Sequence, residues 1–361
     1  MVTSLRRGFL PHDWAAARRL PYILGTYSWC STARLSGREC RFPLARTTLL
    51  WGDVCAEPGR TGTCVTNPEA ASRLRMVVTR LASEIGPRNV YHYRALCSAA
   101  DYLESAFSKL GYHPTRQSYE AEGKRFANLI AERKGNTASE EVLVVGAHYD
   151  SHKDSPGAND NGSAVAAVLE LALLAQTYHY SRTVRFVLFT NEESPFTRTQ
   201  NMGSMVYARA CRENGDKIAG MLCLETLGCY SEEIGSQWLS FGGLLFPRRG
   251  NFIAIVGDRA SRPLMKHVTA SLRGDTSFRF RPLTLPQSLP GARSSDHWCF
   301  WKNNFPALMF TDTAPFRYRH YHSRADTPDK LDYDWLGLVV DRLGVALSDL
   351  AGDIRRTPAR N

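Results

Sequence analysis

The sequence predicts an α/β fold, a three-layer α/β/α arrangement around a central mixed, mainly parallel twisted sheet. The main indication is that strand-like apolar runs alternate with helical periodicity over residues 68–350. This alternation is typical of a parallel sheet that helices cover on both faces. A second indication is that several of the apolar runs end directly in His, Asp or Glu. The carboxyl ends of strands are where open α/β sheets bind their ligands.

Helical and strand patterns can be assigned in order from residue 68. Pro68 opens a helix with apolar residues on one face, and Gly111 is a suitable C-cap for the next one. Predicted helices cover residues 68–85, 95–110, 164–178, 259–272 and 334–350. Predicted strands, which are short apolar runs bounded by turn residues, cover 126–132, 142–145, 183–190, 219–225, 252–256 and 305–311.

The first 65 residues differ from the remainder, and we interpret residues 1–65 as a poorly ordered N-terminal extension and residues 66–361 as the catalytic domain. The extension has no lysine and no sustained apolar period. A second hypothesis is that translation begins further in, near Met76. Pro11, His12 and Asp13 interrupt the apolar segment that a signal peptide needs, and the later run LPYILGTYSW is short and broken by polar residues. The compartment therefore stays open. The oligomeric state also stays open.

Composition narrows the functional classes. Charged residues make up 22% and hydrophobic residues 43% of the 361 residues, as in globular proteins. No run of about eighteen apolar residues occurs, so we expect no membrane span. Half of the net charge of +10 lies in residues 1–65, with nine Arg against four Asp or Glu, and basic residues do not interleave with aromatic ones. We therefore expect no nucleic-acid partner.

The nine cysteines do not form a compact disulfide framework. Four of them cluster near the N-terminus, at Cys30, Cys40, Cys55 and Cys64, without the spacing of a zinc ribbon. We expect free thiols or an occasional disulfide.

Metal-binding side chains follow four of the predicted strands. These are His148, the pair Glu192 and Glu193, Glu225 and, after the last strand, His322. Imidazole and carboxylate groups together suit zinc, and a carboxylate can bridge two ions. Because the carboxyl ends of parallel strands share one edge of a sheet, the residues predict a metal centre there. The sequence contains no HExxH, which excludes the helical zinc site of the zincins.

Six motifs carry a family resemblance. They are HYDS at 148–151, GANDNGSA at 157–164, TNEE at 190–193, LETLG at 224–228, SDHWCF at 295–300 and YHSRADTPDKLD at 321–332. In this order they resemble the M28 family of zinc peptidases, in particular a bacterial-leucyl-aminopeptidase-like catalytic domain, over about residues 70–350. The resemblance implies a zinc-exopeptidase (phosphorylase/hydrolase-like) fold and two zinc ions about 3.5–4 Å apart.

The resemblance also implies a ligand for each position. His148 and Glu225 would bind one zinc ion, Glu193 and His322 the other, and Asp160 would bridge the two. Each metal would then have three protein ligands and an open position, as catalytic zinc requires.

Other roles follow from the same motifs. Glu192 would be the general base, and Asp150 would receive the second imidazole N–H of the first ligand histidine. Asp296 and His297, in the SDH motif, would lie near the substrate side. At Glu225 the best-known family members carry aspartate, which puts relative metal affinity in doubt. Nearby His152, Asp154 and His320 are interpreted as loop residues, with a substrate contact as an alternative for His320.

We therefore expect a metal-dependent exopeptidase, specifically an aminopeptidase, that acts on peptides. One alternative is a glutaminyl-peptide cyclase with one zinc ion, which shares HYDS and the double glutamate, whereas GANDNGS and YHSRADTPDKLD resemble the peptidases. The other alternative, a binding module without activity, is disfavoured because every ligand position is filled. The residue preference for the substrate stays open, and carboxypeptidase or endopeptidase activity is not excluded.

Overall fold

The computed structural model describes residues 67–238, 247–275 and 278–353. The predicted extension over residues 1–65, and the four cysteines within it, lie outside the described residues. Position 76 falls inside the first described helix. Cysteines 97, 211, 223, 229 and 299 are free thiols.

Seven α-helices and one eight-stranded sheet make up the described part of the chain. The helices are α1 (Pro68–Thr79), α2 (Tyr93–Lys109), α3 (Ala164–Ala175), α4 (Gly203–Glu213), α5 (Arg262–Leu272), α6 (His297–Lys302) and α7 (Tyr333–Ala351). The strands are β1 (Thr115–Ala121), β2 (Lys124–Arg133), β3 (Ala138–His148), β4 (Arg182–Phe189), β5 (Lys217–Glu225), β6 (Ile253–Gly257), β7 (Phe280–Thr284) and β8 (Ala307–Thr311).

The sheet is mixed, with a parallel centre. Its order is β1-β2-β4-β3-β5-β8-β6-β7, and the four central strands β4, β3, β5 and β8 run parallel. Antiparallel pairing occurs between β1 and β2, β2 and β4, and β8 and β6. The register places His148 opposite Phe189 and Glu225 opposite Thr311. The ends of all four central strands therefore meet at one edge, as predicted.

Helices cover both faces of the sheet, so the predicted three-layer α/β/α fold is confirmed. One apolar core joins α1, α2, α3, α5 and α7 to the sheet, and a second core packs α4 and α6 against the other face. Ten of the twelve residues of α3 are buried, which explains why its sequence is apolar all round. None of the described helices has the length and apolar character that a membrane crossing needs.

Four elements were not predicted. Strand β1 lies at the sheet edge and exposes polar side chains, so its sequence TRQSYEA lacks an apolar run. Strand β7, at the opposite edge, is also only partly buried. Helix α6 has six residues, too few to show a helical period, and α4 has a mixed polar sequence. The predicted first helix ends as a π-helical turn over Arg80–Ile85.

Candidate metal centre

The five predicted ligand residues converge at the carboxyl edge of the sheet. The Nε2 atom of His148, at the end of β3, lies 3.4 Å from Oε2 of Glu225 and 3.5 Å from Oδ1 of Asp160. The Nε2 atom of His322 lies 3.0 Å from Oδ2 of Asp160 and 3.4 Å from Oε1 of Glu193. The side chains thus form two groups of three that share Asp160, and the ligand atoms within each group lie within 4.8 Å of one another.

The donor atoms of these residues fit metal ions. Within the described part of the chain, His148 Nε2, Asp160 Oδ2 and Glu193 Oε1 are buried and make no hydrogen bond of good geometry, although these groups lie only 3.0–3.5 Å apart. Buried polar atoms are otherwise nearly always paired, and nitrogen and carboxylate oxygen are the donors that zinc takes in catalytic sites. We conclude that the residues suit zinc, with one group of ligands on each side of Asp160.

The pKa values of these residues also indicate a site that favours positive charge. Burial and the neighbouring Asp160 carboxylate together raise the pKa of Glu193 to about 7. Burial opposes the charge on His322, yet the Glu193 and Asp160 carboxylates outweigh it and raise the pKa of His322 to about 11. The pKa of His148 is likewise held well above its usual range, because the Glu192 and Glu225 carboxylates outweigh the effect of burial. Cations at this edge would offset the crowded carboxylates.

Asp150 organises the turn that follows β4. Its Oδ1 and Oδ2 accept hydrogen bonds from the backbone N–H groups of Glu192 and Glu193, each at 3.1 Å. The Nδ1 atom of His148 lies 3.1 Å from the backbone oxygen of Asp150 and 3.5 Å from its carboxylate. Asp150 therefore contacts both the ligand histidine and the double glutamate, whereas the sequence had predicted only the first contact.

Glu192 lies beside the ligands without belonging to either group. Its Oε2 atom is 3.8 Å from Nε2 of His148, and its backbone oxygen accepts a hydrogen bond from Thr197. Burial raises the pKa of Glu192 well above its usual range. A buried carboxyl with a raised pKa that faces the metal ligands is suited to proton transfer.

Three residues at the site escaped prediction or were predicted only in general terms. Asn161 accepts from Thr226 N–H at 2.9 Å and donates to the backbone oxygen of Leu224 at 3.0 Å, which joins the Asp160 turn to the end of β5. Ser295 Oγ donates to Glu225 at 2.6 Å. The only sequence signal for Ser295 was its place in the SDH motif.

Tyr321 is the third such residue. Its ring stacks on His322 with 3.8 Å between the ring centroids. Burial raises the pKa of the Tyr321 phenol, and the nearby carboxylates, first Asp160 and then Glu193, raise it further. The Tyr321 side chain is therefore packed against His322, one of the predicted metal ligands. Its only sequence signal was that it directly precedes His322.

Asp296 and His297 are fully buried. His297 Nε2 lies 3.0 Å from the backbone oxygen of Ala292, and its ring packs edge-on against Trp301. Burial raises the pKa of Asp296 to about 7 and lowers that of His297 to about 4. The predicted place on the substrate side stays a prediction, and this burial does not support it, because neither side chain is open to a substrate here.

His152 lies in the loop after β3, as expected, but its ring is half-buried rather than fully solvated and stacks on His322 at 4.2 Å between centroids. Asp154 is exposed, as expected of a loop residue, and lies 3.9 Å from His92. His320 packs edge-on against Tyr318 at 5.3 Å.

Comparison with known proteins places the chain among peptidases. Residues 128–345 match the model of "Peptidase family M28". The chain is 34% identical over 279 residues to the uncharacterized protein YfbL of Escherichia coli, covering 74% of this chain and 85% of YfbL. It is 43% identical over 254 residues to the probable lipoprotein aminopeptidase LpqL of Mycobacterium tuberculosis. That match covers 62% of this chain and 46% of LpqL, so this chain spans less than half of that relative.

Solved structures share the fold. The zinc aminopeptidase BSAP of Bacillus subtilis aligns with a TM-score of 0.62 and 15% identity over 80% of this chain and 97% of its own. Fimbriiglobus ruber glutaminyl cyclase aligns with a TM-score of 0.59 and 22% identity over 79% and 96% of the two chains. The family match, which covers more than half of the sequence, confirms the resemblance drawn from the motifs: this chain belongs to peptidase family M28.

Proposed function

We propose that this chain is an aminopeptidase that binds two zinc ions, one through His148 and Glu225 and the other through Glu193 and His322. Asp160 would bind both. The observation that supports this proposal best is the pair of three-residue groups that share the Asp160 carboxylate, with 3.5 Å and 3.0 Å from its two oxygens to the two histidines. Zinc held by these residues would polarise the scissile carbonyl and lower the pKa of water.

Glu192 is the general base in this proposal. Its carboxylate takes a proton from the attacking water as the new C–O bond forms, and passes that proton to the amine nitrogen as the C–N bond breaks. The backbone of Glu192 is held by Asp150, whose carboxylate accepts the Glu192 N–H at 3.1 Å, and the Glu192 carboxylate lies 3.8 Å from Nε2 of His148. Burial of Glu192 limits competing water around the proton that it carries.

Tyr321 is the proposed donor to the oxyanion. Its ring stacks on His322, and burial together with the Asp160 and Glu193 carboxylates raises the pKa of its phenol, so the phenol keeps the proton that it would donate. The stacked ring of His322 limits the orientation of the phenol. A fixed donor that is aimed at developing negative charge typically contributes about 10²–10³-fold to kcat.

The experiment that tests the function is a substrate panel on the full chain. Aminoacyl anilides, their N-acetylated forms and peptides with N-terminal glutamine are assayed with and without a chelator, and zinc is then added back. We expect hydrolysis only of substrates with a free N-terminus, loss of activity with the chelator and recovery with zinc. Cleavage of acetylated substrates would contradict an aminopeptidase, and release of pyroglutamyl peptides without hydrolysis would favour the cyclase alternative.

A further inference from the structure

The turn that carries Asp160 rests on a second buried carboxylate, that of Asp326. Oδ1 of Asp326 accepts the backbone N–H of Asn159 at 2.8 Å, and Oδ2 accepts the backbone N–H of Asp160 at 3.1 Å. The backbone oxygen of Asp326 accepts the N–H of Ala158 at 3.3 Å. Asp326 is fully buried, so these hydrogen bonds face little competition from water.

Asp326 also closes the loop that carries His322. The Tyr318 hydroxyl donates to Oδ1 of Asp326 at 2.8 Å, with His322 between these two residues in the chain. The backbone N–H of Asp326 donates to the oxygen of Ser323 at 3.2 Å. One side chain thus contacts both the turn before the shared carboxylate and the loop of one ligand histidine.

A buried cation holds the opposite side of the same turn. The guanidinium of Arg88 donates to the backbone oxygen of Pro156 at 2.5 Å and to that of Gly157 at 2.9 Å. The carbonyl groups at the start of the turn therefore face Arg88, and the amides at its end face Asp326. The backbone that leads into Asp160 is thus held on both sides by buried charged side chains.

The two ligand groups differ in how much they depend on this contact. His148 and Glu225 are the last residues of the central strands β3 and β5, and Ser295 also holds Glu225. His322 lies in a loop at a φ of 55°, in the left-handed region that non-glycine residues seldom occupy. His322 lies 3.0 Å from Asp160, and this contact connects the His322 loop with the Asp160 turn, both of which Asp326 also contacts.

We propose that Asp326 is a positioning residue that sets Asp160 against His322, so that the zinc ion bound by Glu193 and His322 depends on it more than the other ion. This inference rests on the proposed function, since it requires two zinc sites. It assigns Asp326 no contact with substrate.

The test is a zinc titration of the metal-free full chain for the wild type, Asp326→Asn and Asp329→Asn. The first substitution keeps the size of the side chain but replaces one acceptor oxygen with a donor, which faces a backbone N–H. Asp329 is the matched control, because it is exposed in the same segment and, among the described residues, its side chain bonds only to Thr327 and Lys330. Binding is followed by calorimetry and bound zinc by elemental analysis.

We expect two equivalents for the wild type and Asp329→Asn. In Asp326→Asn one equivalent should weaken about 10–100-fold, the usual effect of losing a group that orients a ligand, while the other equivalent, which shares Asp160, should weaken less. Tyr318→Phe, which retains the carboxylate, should weaken the same equivalent by a smaller factor. It also serves as the second variant if Asp326→Asn does not fold, which circular dichroism of the metal-free proteins shows.

Two results would overturn the inference while leaving the function intact. One is that Asp326→Asn and Tyr318→Phe bind both equivalents with wild-type affinity. The other is that both equivalents weaken equally, which would indicate a general structural role. A wild-type chain that binds fewer than two zinc ions would instead contradict the proposed function, and this inference with it.

Discussion

The hydroxyl of Ser295 donates a hydrogen bond of 2.6 Å to Oε2 of Glu225. The same carboxylate oxygen lies 3.4 Å from Nε2 of His148, so the hydrogen bond holds a ligand atom toward its partner histidine. Glutamate has one more rotatable bond than the aspartate of the best-known family members. Ser295 therefore limits the additional freedom that the longer ligand brings.

Replacing Ser295 with alanine should weaken zinc binding at the position of His148 and Glu225. Removal of a group that orients a metal ligand typically costs about 10–100-fold in affinity or activity. Calorimetric zinc titration of the metal-free chain measures this change. Ser294→Ala is the matched control, because Ser294 is exposed and its hydroxyl donates to the backbone oxygen of Gly291 and to the sulfur of Met309, neither of which is a predicted ligand. Equal affinities for both variants would show that Glu225 needs no such support.

Replacing Glu192 with glutamine should abolish most turnover while the zinc content persists. The amide cannot accept the proton from water, and general-base catalysis contributes about 10²–10⁴-fold to the rate. Stopped or continuous anilide assays give kcat, and elemental analysis gives bound zinc. Wild-type kcat in Glu192→Gln would show that another group is the base.

Asp160→Ala and His322→Ala should differ in the number of zinc ions lost. Asp160 contributes to both ligand groups, so its removal should release both ions. His322 belongs to one group, so its removal should release one. Zinc per chain after dialysis distinguishes the two outcomes, with the exposed Asp154→Ala as a control. Retention of two equivalents by Asp160→Ala would contradict a shared carboxylate.

The sequence predicted the central strands and the residues at their ends. Buried parallel strands are apolar throughout, so β3, β4, β5 and β8 stand out against their turns. Residues at the ends of such strands must lie at one edge of the sheet. The sequence alone could therefore predict that His148 and Glu225 lie close together. The edge strand β1 was missed, because a strand that is solvated on one side and at its edge needs no apolar run.

The contacts that orient the ligands could not be predicted. Ser295 meets Glu225 across 70 residues of sequence, and Asp326 meets Asp160 across 166. A small polar residue in a loop has no periodicity that indicates its partner. Such pairs depend on where whole loops come to lie after folding, whereas strand ends are placed by the sheet itself.

Replacing Arg88 with methionine should destabilise the chain strongly. Arg88 is fully buried, and its shortest hydrogen bonds go to the backbone oxygens of Tyr149, Pro156 and Gly157. Each buried carbonyl left unpaired costs about 1–3 kcal/mol, so we expect a loss of roughly 3 kcal/mol or more. Urea unfolding of the metal-free protein measures it. Arg94→Met, at an exposed position of α2, should change the free energy of unfolding little.

His297 should make the folded state less stable in mild acid. Burial lowers the pKa of His297 to about 4, whereas in the unfolded chain it is about 6.5. As the pH falls from about 6.5 to 4, His297 becomes protonated in the unfolded state but stays neutral in the native state. The free energy of unfolding therefore falls by about 3 kcal/mol. Above pH 6.5 both states hold neutral histidine and the effect vanishes.

His297→Gln should remove this dependence, because its amide can still donate to the oxygen of Ala292 but does not titrate. Urea unfolding of the metal-free proteins at pH 7.5, about 6 and about 5 gives the difference between variant and wild type, in which the other titrating groups largely cancel. That difference should shift in favour of the variant as the pH falls. The exposed His267→Gln should show no such shift. Parallel pH profiles of His297→Gln and the wild type would mean that His297 accepts a proton in the folded chain as readily as in the unfolded one.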